Sequence, residues 1–297
     1  RIMQYSHNHT VKNSGTPTDN VHMPDGWNLA RIPYVRTGSA TMKYGVLLIE
    51  TGVPEDDSPE ALRHYVDVVL GTGLYADKLG FVQSRLFRHV TIPAKRRDWR
   101  RYFYGDGTDV ASTYLRHAKS LRDKLAGRLA EATRRQGIVT VGMRCGSPSL
   151  DEAANTLMQE GCSTIVLLPL YPLRFPPMTV PALDEARAAI ERVGKGAWTP
   201  QVIEIDSFCR TPGFAQTLAT RIGRDWKPRN VSRLLILMPS EPRSLARDDG
   251  TYGEQVEWLR DRLCKSLKLG GDHVHVAFVG DHDNSEWLRP FAEKTLL

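Results

Sequence analysis

The stretch I-V-T-V-G-M-R-C-G-S-P-S-L-D-E-A-A-N-T-L-M-Q-E-G-C-S-T-I-V-L-L-P-L-Y-P, Ile138 to Pro172, decides the fold. Ile138 to Met143 is an apolar, β-branched run of strand length, and Cys162 to Leu168 is a second. Between them Ser149 stands three residues before Glu152, the reciprocal capping signature of a helix that runs to Gln159. Near-continuous apolar strands are those buried on both faces, and strand, helix, strand at this spacing is a parallel crossover unit.

The same alternation extends in both directions. Gly45 to Ile49 reads as the first buried strand, closed by the turn Glu50-Thr51-Gly52-Val53-Pro54, and Ser58-Pro59-Glu60 opens a helix to about Leu70. Phe81 to Arg101 is basic and aromatic, with a strand expected near 87–92 followed by an irregular lip. An amphipathic helix is expected from Val110 to Arg135, with Leu115, Leu121, Leu125 and Leu129 on its apolar stripe. Past a proline-rich loop ending at Pro181 the pattern gives a helix to Val193, a strand over Gln201–Asp206 and a helix over Pro212–Asp225. It continues with a strand over Leu234–Met238, a helix over Tyr252–Leu267, a strand over His273–Phe278 and a closing helix over Glu286–Leu297. The expected architecture is α/β, with two doubly wound Rossmann-like halves built on parallel sheets. Residues 1–44 form a polar extension, 45–185 the first half and 186–297 the second, which is expected to lack its last strand.

The composition is that of an ordinary globular chain: 41% hydrophobic and 25% charged over 297 residues, long enough for two domains. No apolar run approaches the ~18 to 20 residues of a membrane-spanning helix. The net charge of +6 suits an acidic partner, a tetrapyrrole carboxylate, an anionic membrane surface or an organellar address. Lys95-Arg96-Arg97, Arg100-Arg101 and Arg134-Arg135 read as solvated faces, because no nucleic-acid-binding module accompanies them. Cys145, Cys162, Cys209 and Cys264 form no C-x-x-C pair, which points to a reduced compartment without a disulfide framework or a zinc site. His7 and His9 have no third ligand near in sequence and read as part of a solvated tail.

Ligands of open parallel sheets bind past the carboxyl ends of strands, so the loop after Leu234–Met238 is where an active site is expected. It reads Pro239-Ser240-Glu241-Pro242-Arg243, without His or Cys. Metal or proton chemistry needs an ionisable or lone-pair group, and a prolyl nitrogen offers neither.

From Gly45 to Leu297 the chain resembles the ferrochelatase family, which inserts iron into a porphyrin between two Rossmann-like halves. Gly45-Val-Leu-Leu-Ile with Gly52 and Pro54 looks like the family's opening strand and turn. Met143-Arg144 with Gly146 and Pro148 is similar to its M-R-Y-G-N-P turn, and Leu168 to Pro172 to its L-P-L-Y-P. Pro242 and Tyr252 keep the spacing of its H-G-x-P…G-D-x-Y segment, and Trp287-Leu288 with Pro290 keeps its W-L-x-P. The resemblance places Thr51, Arg144, Cys145, Tyr171 and Pro239 at ancestral porphyrin-cleft positions. Arg144 is open to two roles there, gripping a propionate or pairing with a core carboxylate, and Tyr171 to cleft wall or packing.

The departures bear on activity. Pro239 stands where the family holds the histidine that acts at the porphyrin centre. Cys145 replaces a tyrosine, Glu50-Thr51 replaces residues of which one faces the metal, Gly105-Asp106-Gly107-Thr108 only loosely echoes a G-G-S-P loop, and Val279-Gly280-Asp281 replaces Q-S-R. A family acidic residue falls on a strand beyond the closing helix, past Leu297. His273 and His275 share a strand, and His282 reads as a solvated loop residue. The expectation is a catalytically inactive ferrochelatase-like protein, with no catalytic residue and no metal site, serving as an accessory or scaffold subunit of a larger assembly. An active ferrochelatase and a non-catalytic porphyrin- or haem-binding protein are the alternatives. No resident cofactor is expected, though haem or a porphyrin is a permitted ligand. The expected partners are protein subunits, with no nucleic acid and no transmembrane segment. A basic chain beginning at Arg1 instead of Met is compatible with a removed transit peptide, which places the expectation at the mitochondrion, with peripheral contact at the inner membrane.

Overall fold

The computed structural model describes residues 43–70, 90, 94, 96–104, 110–133, 137–195, 199–226, 233–241, 251–279 and 287–295. The His7 and His9 tail, the 105–108 loop, Pro242, Arg243, residues 280–281, His282 and Glu286 lie outside them, as does the polar extension up to residue 42.

Four strands, β1 (Lys43–Gly52), β2 (Gly137–Cys145), β3 (Cys162–Pro169) and β4 (Gln201–Glu204), form one parallel sheet in the order β2-β1-β3-β4. Two more, β5 (Leu234–Pro239) and β6 (Val274–Val279), form a second parallel pair. The helices are α1 (Pro59–Leu70), α2 (Arg96–Tyr104), α3 (Val110–Thr133), α4 (Leu150–Gln159), α5 (Pro176–Gly194), α6 (Pro212–Asp225), α7 (Thr251–Leu267) and α8 (Ala292–Thr295). The fold is therefore α/β with parallel sheets, of the chelatase-like Rossmann type.

Burial explains the apolar runs. Leu47 and Ile49 of β1 join Ile165 and Leu167 of β3 beneath α4 and α5, while Val46 and Leu48 face Val141, Met143 and α3 on the other side. Leu47, Leu48 and Ile49 are fully buried, each stabilising the fold by about 1.5–3 kcal/mol relative to exposure. The α4 cap forms as its sequence requires: the Glu152 N–H donates to Ser149 Oγ at 3.2 Å, and the Ser149 N–H donates to Glu152 Oε2 at 2.7 Å.

Several expected elements differ. Lys43 and Tyr44, assigned to the extension, belong to β1. Of the strand expected at 87–92 only Val90 is described, in a helical turn, and much of the expected irregular lip is α2. That helix forms because Phe103 buries against Leu62 and Val66 of α1 while Arg97, Arg100 and Arg101 stay in water. Leu121 lies at the margin of the α3 stripe and is 44% exposed; Tyr114 and Ala118 pack in its place. The proline-rich stretch is a loop only as far as Phe175. Pro176 and Pro177 open α5 where a missing N–H costs nothing, and Pro181 lies inside it. Among the described residues of the expected closing helix, 287–295, only α8 is helical. Trp287 to Phe291 runs beside β6, where the Phe278 N–H donates to the Pro290 carbonyl at 2.8 Å, and Pro290 has no N–H with which to continue a helix. The division expected at 185/186 falls inside α5, and β4, placed with the second half, pairs with β3, so the change of sheet comes after β4.

Candidate functional site

With strand order 2-1-3-4, the connections that leave β1 and β3 run in opposite directions, so the crevice beyond the carboxyl ends of these two strands is the topological switch point, where such folds place ligands. Thr51 lies near the end of β1, Arg144 and Cys145 close β2, and Tyr171 lies just past β3. Two glycines bring these turns together. Gly52 has φ +83°, and a Cβ there would sit 1.8 Å from the Cys145 carbonyl oxygen; Gly146 has φ +92°, and its Cβ would meet the Val53 oxygen at 2.5 Å. In the space this leaves, the Val53 N–H donates to the Cys145 carbonyl at 3.2 Å.

The polar groups of this crevice are paired with one another. Thr51 Oγ1 and Tyr171 Oη share a hydrogen bond of 2.6 Å across the switch point. Arg144, its side chain only 1% exposed, donates from Nε to Glu185 Oε2 at 2.8 Å and from Nη2 to Glu185 Oε1 at 2.6 Å. Burial opposes its charge, and this two-pronged pair with an α5 carboxylate outweighs the penalty. Its Nη1 is buried without a hydrogen-bond partner. The nearby Tyr171 hydroxyl, raised by burial, interacts electrostatically with the guanidinium. Glu50 accepts the Tyr114 hydroxyl, and burial raises its carboxyl above the usual range against that bond and the Thr51 N–H. Burial, with a smaller contribution from Glu55, pushes the Cys145 thiol up to about 11, so it stays protonated at neutral pH.

Pro239 ends β5 with its ring exposed, and its carbonyl accepts the Tyr252 hydroxyl at 2.9 Å. The next two residues are buried. Ser240 donates through its N–H to the Val279 carbonyl at 2.8 Å and through Oγ to the Leu288 carbonyl at 3.0 Å. Glu241 is 0% exposed, and neither carboxyl oxygen has a hydrogen-bond partner. Burial pushes its pKa up to about 7, while the Arg174 charge pulls the other way.

Thr51, Arg144, Cys145 and Tyr171 thus gather at one sheet's end, and Pro239 stands at the other's. Among the described residues no hydrogen bond or ion pair joins Pro239 to that group. The connection runs through the segment after Tyr171: Phe175 packs on Tyr252 with ring centroids 4.9 Å apart, and the Arg174 N–H donates to Gln255 at 2.7 Å. Sequence reasoning noted Glu50 and Glu241 on the matching turns but gave neither a role, finding no replacement there for the ligand or base. Both had a legible signal, an acid within three residues of the end of an apolar run. Glu185 had none, being 41 residues from its partner. An open groove of about 570 Å³ along α3, lined by Leu115, Arg116 and Lys119 among others, includes none of these groups. Among the described residues no three His, Cys, Asp or Glu side chains are grouped to hold a metal ion, and no helix is long and apolar enough to cross a membrane.

Helices on both faces of a parallel sheet, with polar side chains at its switch point, define a doubly wound α/β protein whose site lies at the strands' carboxyl ends. Residues 43–297 match the ferrochelatase family model, and the chain belongs to that family. It is 26% identical over 256 residues to a ferrochelatase of Chromobacterium violaceum, covering 86% of this chain and 69% of that one. Ferrochelatases of Vibrio cholerae serotype O1 and Escherichia coli O8 are each 26% identical over 255 residues, covering 86% of this chain and 77% of theirs.

Proposed function

We propose that this ferrochelatase-family protein has given up metal insertion and serves as an accessory or scaffold subunit of a multi-chain assembly, at the inner membrane of the mitochondrion. The observation that carries the reading is Pro239 at the carboxyl end of β5. Insertion of a metal requires the pyrrole protons to leave and the incoming ion to be held, and a tertiary amide nitrogen does neither. The crevice of the first half supports the same reading: Arg144 is engaged by Glu185 and Thr51 by Tyr171, while the Cys145 thiol stays protonated.

Glu241 favours a second reading, in which the protein keeps the activity named for its relatives. A carboxyl with a pKa of about 7, two residues from Pro239, has the protonation balance of a general base at neutral pH. A third arrangement keeps a porphyrin or haem bound without chemistry, using Arg144 Nη1 for a propionate. Zinc and iron insertion into protoporphyrin, followed by porphyrin absorbance, separates the three. The proposed function gives a rate equal to the uncatalysed one in the wild type and no Soret shift on titration. Turnover that disappears in Glu241→Gln establishes the second reading, and a Soret shift without turnover the third.

A further inference from the structure

The two helical layers of the first sheet carry opposite charge. α3 lies over the face of Val46 and Leu48 and holds Arg116, Lys119, Arg122, Lys124 and Arg128 against only Asp123 and Glu131. α4 and α5 lie over the face of Leu47 and Ile49 and reverse the ratio, with Asp151, Glu152, Asp184, Glu185 and Glu191 against Arg187 and Arg192. The sheet thus separates a basic layer from an acidic one. A domain polarised in this way turns its basic side toward an anionic surface.

The layers also differ in how their charges are used. Both α5 arginines are paired, Arg192 with Asp151 at 2.6 Å and Arg187 with Asp184 at 2.9 Å. On α3, Arg122 takes Asp123 at 2.7 Å and Arg116 donates to Thr113 Oγ1 at 3.2 Å. Lys119, Lys124 and Arg128 are exposed and form no ion pair among the described residues. Helical period sets these cations on the outer arc, because Tyr114, Ala118, Leu125 and Leu129 take the inner one. From 116 to 128 they run about 18 Å along the axis. Leu121, 44% exposed, stands one turn from Lys124. α2, which packs against α3, adds exposed Arg97, Arg100 and Arg101 and the 66%-exposed Tyr102. Cations interspersed with exposed leucine and tyrosine are the composition of a helix face that lies on a bilayer surface.

The chemistry of the cations selects the occupant. A folded acidic partner is gripped by guanidinium groups fixed in place, as Arg144 is fixed on Glu185. The unpaired α3 cations end flexible, solvated chains with no such fixing. Phospholipid headgroups demand no fixed geometry, and attraction to an anionic leaflet adds up cation by cation, about fivefold in partition for each Lys or Arg. Arg116, Lys119, Lys124 and Arg128 together supply roughly 600-fold. We infer that the outer face of α3 docks this protein on anionic phospholipid headgroups, with the acidic α4–α5 layer turned away from the bilayer. The inference deepens the inner-membrane placement proposed above and rests on it.

The test is co-sedimentation of the full-length protein with vesicles of phosphatidylcholine alone and of two parts phosphatidylcholine to one part phosphatidylglycerol. The expected result is binding to the anionic vesicles at about 0.1 M salt, loss of that binding at about 1 M, where the Debye length shrinks from ~10 to ~3 Å, and none to the neutral vesicles. Lys124→Gln with Arg128→Gln should weaken binding about 25-fold. Arg187→Gln with Arg192→Gln removes the same charge from the opposite layer and should leave binding unchanged, and both double variants should keep the wild-type thermal midpoint. Equal losses in the two double variants, equal binding to neutral vesicles, or no binding to anionic ones would each overturn the inference. Binding of poly-glutamate without binding of vesicles would overturn it in favour of an acidic polypeptide. Metal insertion by the same preparation would defeat the non-catalytic reading and leave the vesicle result standing, so the two failures are separable.

Discussion

Replacing Glu241 by glutamine should stabilise the protein, and the gain should grow with pH. The carboxyl is fully buried, has no hydrogen-bond partner, and is pushed from an ordinary value of 4.5 up to about 7 by burial. A folded-state pKa above the unfolded one means that the native state holds its proton more tightly. No stability is lost below pH 4.5, the loss accumulates between 4.5 and 7, and above 7 it is constant. At 1.36 kcal/mol per unit, the full deficit is about 3 kcal/mol. Glutamine has the shape of the protonated acid and cannot ionise, so it removes the penalty and leaves the packing in place. Urea unfolding of wild type and Glu241→Gln at pH 5, 6, 7 and 8 measures the difference directly. The variant should match the wild type to within about 1 kcal/mol at pH 5 and exceed it by about 3 kcal/mol at pH 8. A difference that stays constant across that range would refute the assignment of a neutral, buried acid at the end of β5.

Arg144→Ala should destabilise by roughly 2–3 kcal/mol in the same unfolding assay, because it empties a buried site and ends two charge-assisted hydrogen bonds, while the half-exposed Glu185 carboxylate stays hydrated; Arg144→Lys should rescue little, since an ammonium cannot form the two-pronged contact. Gly52→Ala should cost roughly 2 kcal/mol or more, from positive φ and the Cys145 carbonyl, and recovery of wild-type stability would argue against the close approach of the two turns. Ser149→Ala should cost about 1 kcal/mol through loss of the α4 cap, read as a lower thermal midpoint.

Much of the fold was legible because the signals are local. An unbroken run such as Ile165 to Leu167 needs two covered faces wherever it occurs, and the Ser149–Glu152 cap closes within one helical turn. The misreadings fall where tertiary contacts override local signals. Prolines 176 and 177 look like loop residues until α5 is seen to start on them, and Trp287 to Phe291 looks helical until β6 takes its backbone.

The sequence by itself determined the alternation of parallel strands and helices, the family's turns, and the proline at position 239, because these depend on residue identity and short spacing. Only the tertiary structure decided what the polar groups do. Arg144 finds Glu185 across 41 positions, Thr51 meets Tyr171 across 120, and Glu241 is sealed without a partner. Pairing and desolvation are properties of the folded environment, and no stretch of sequence carries them alone.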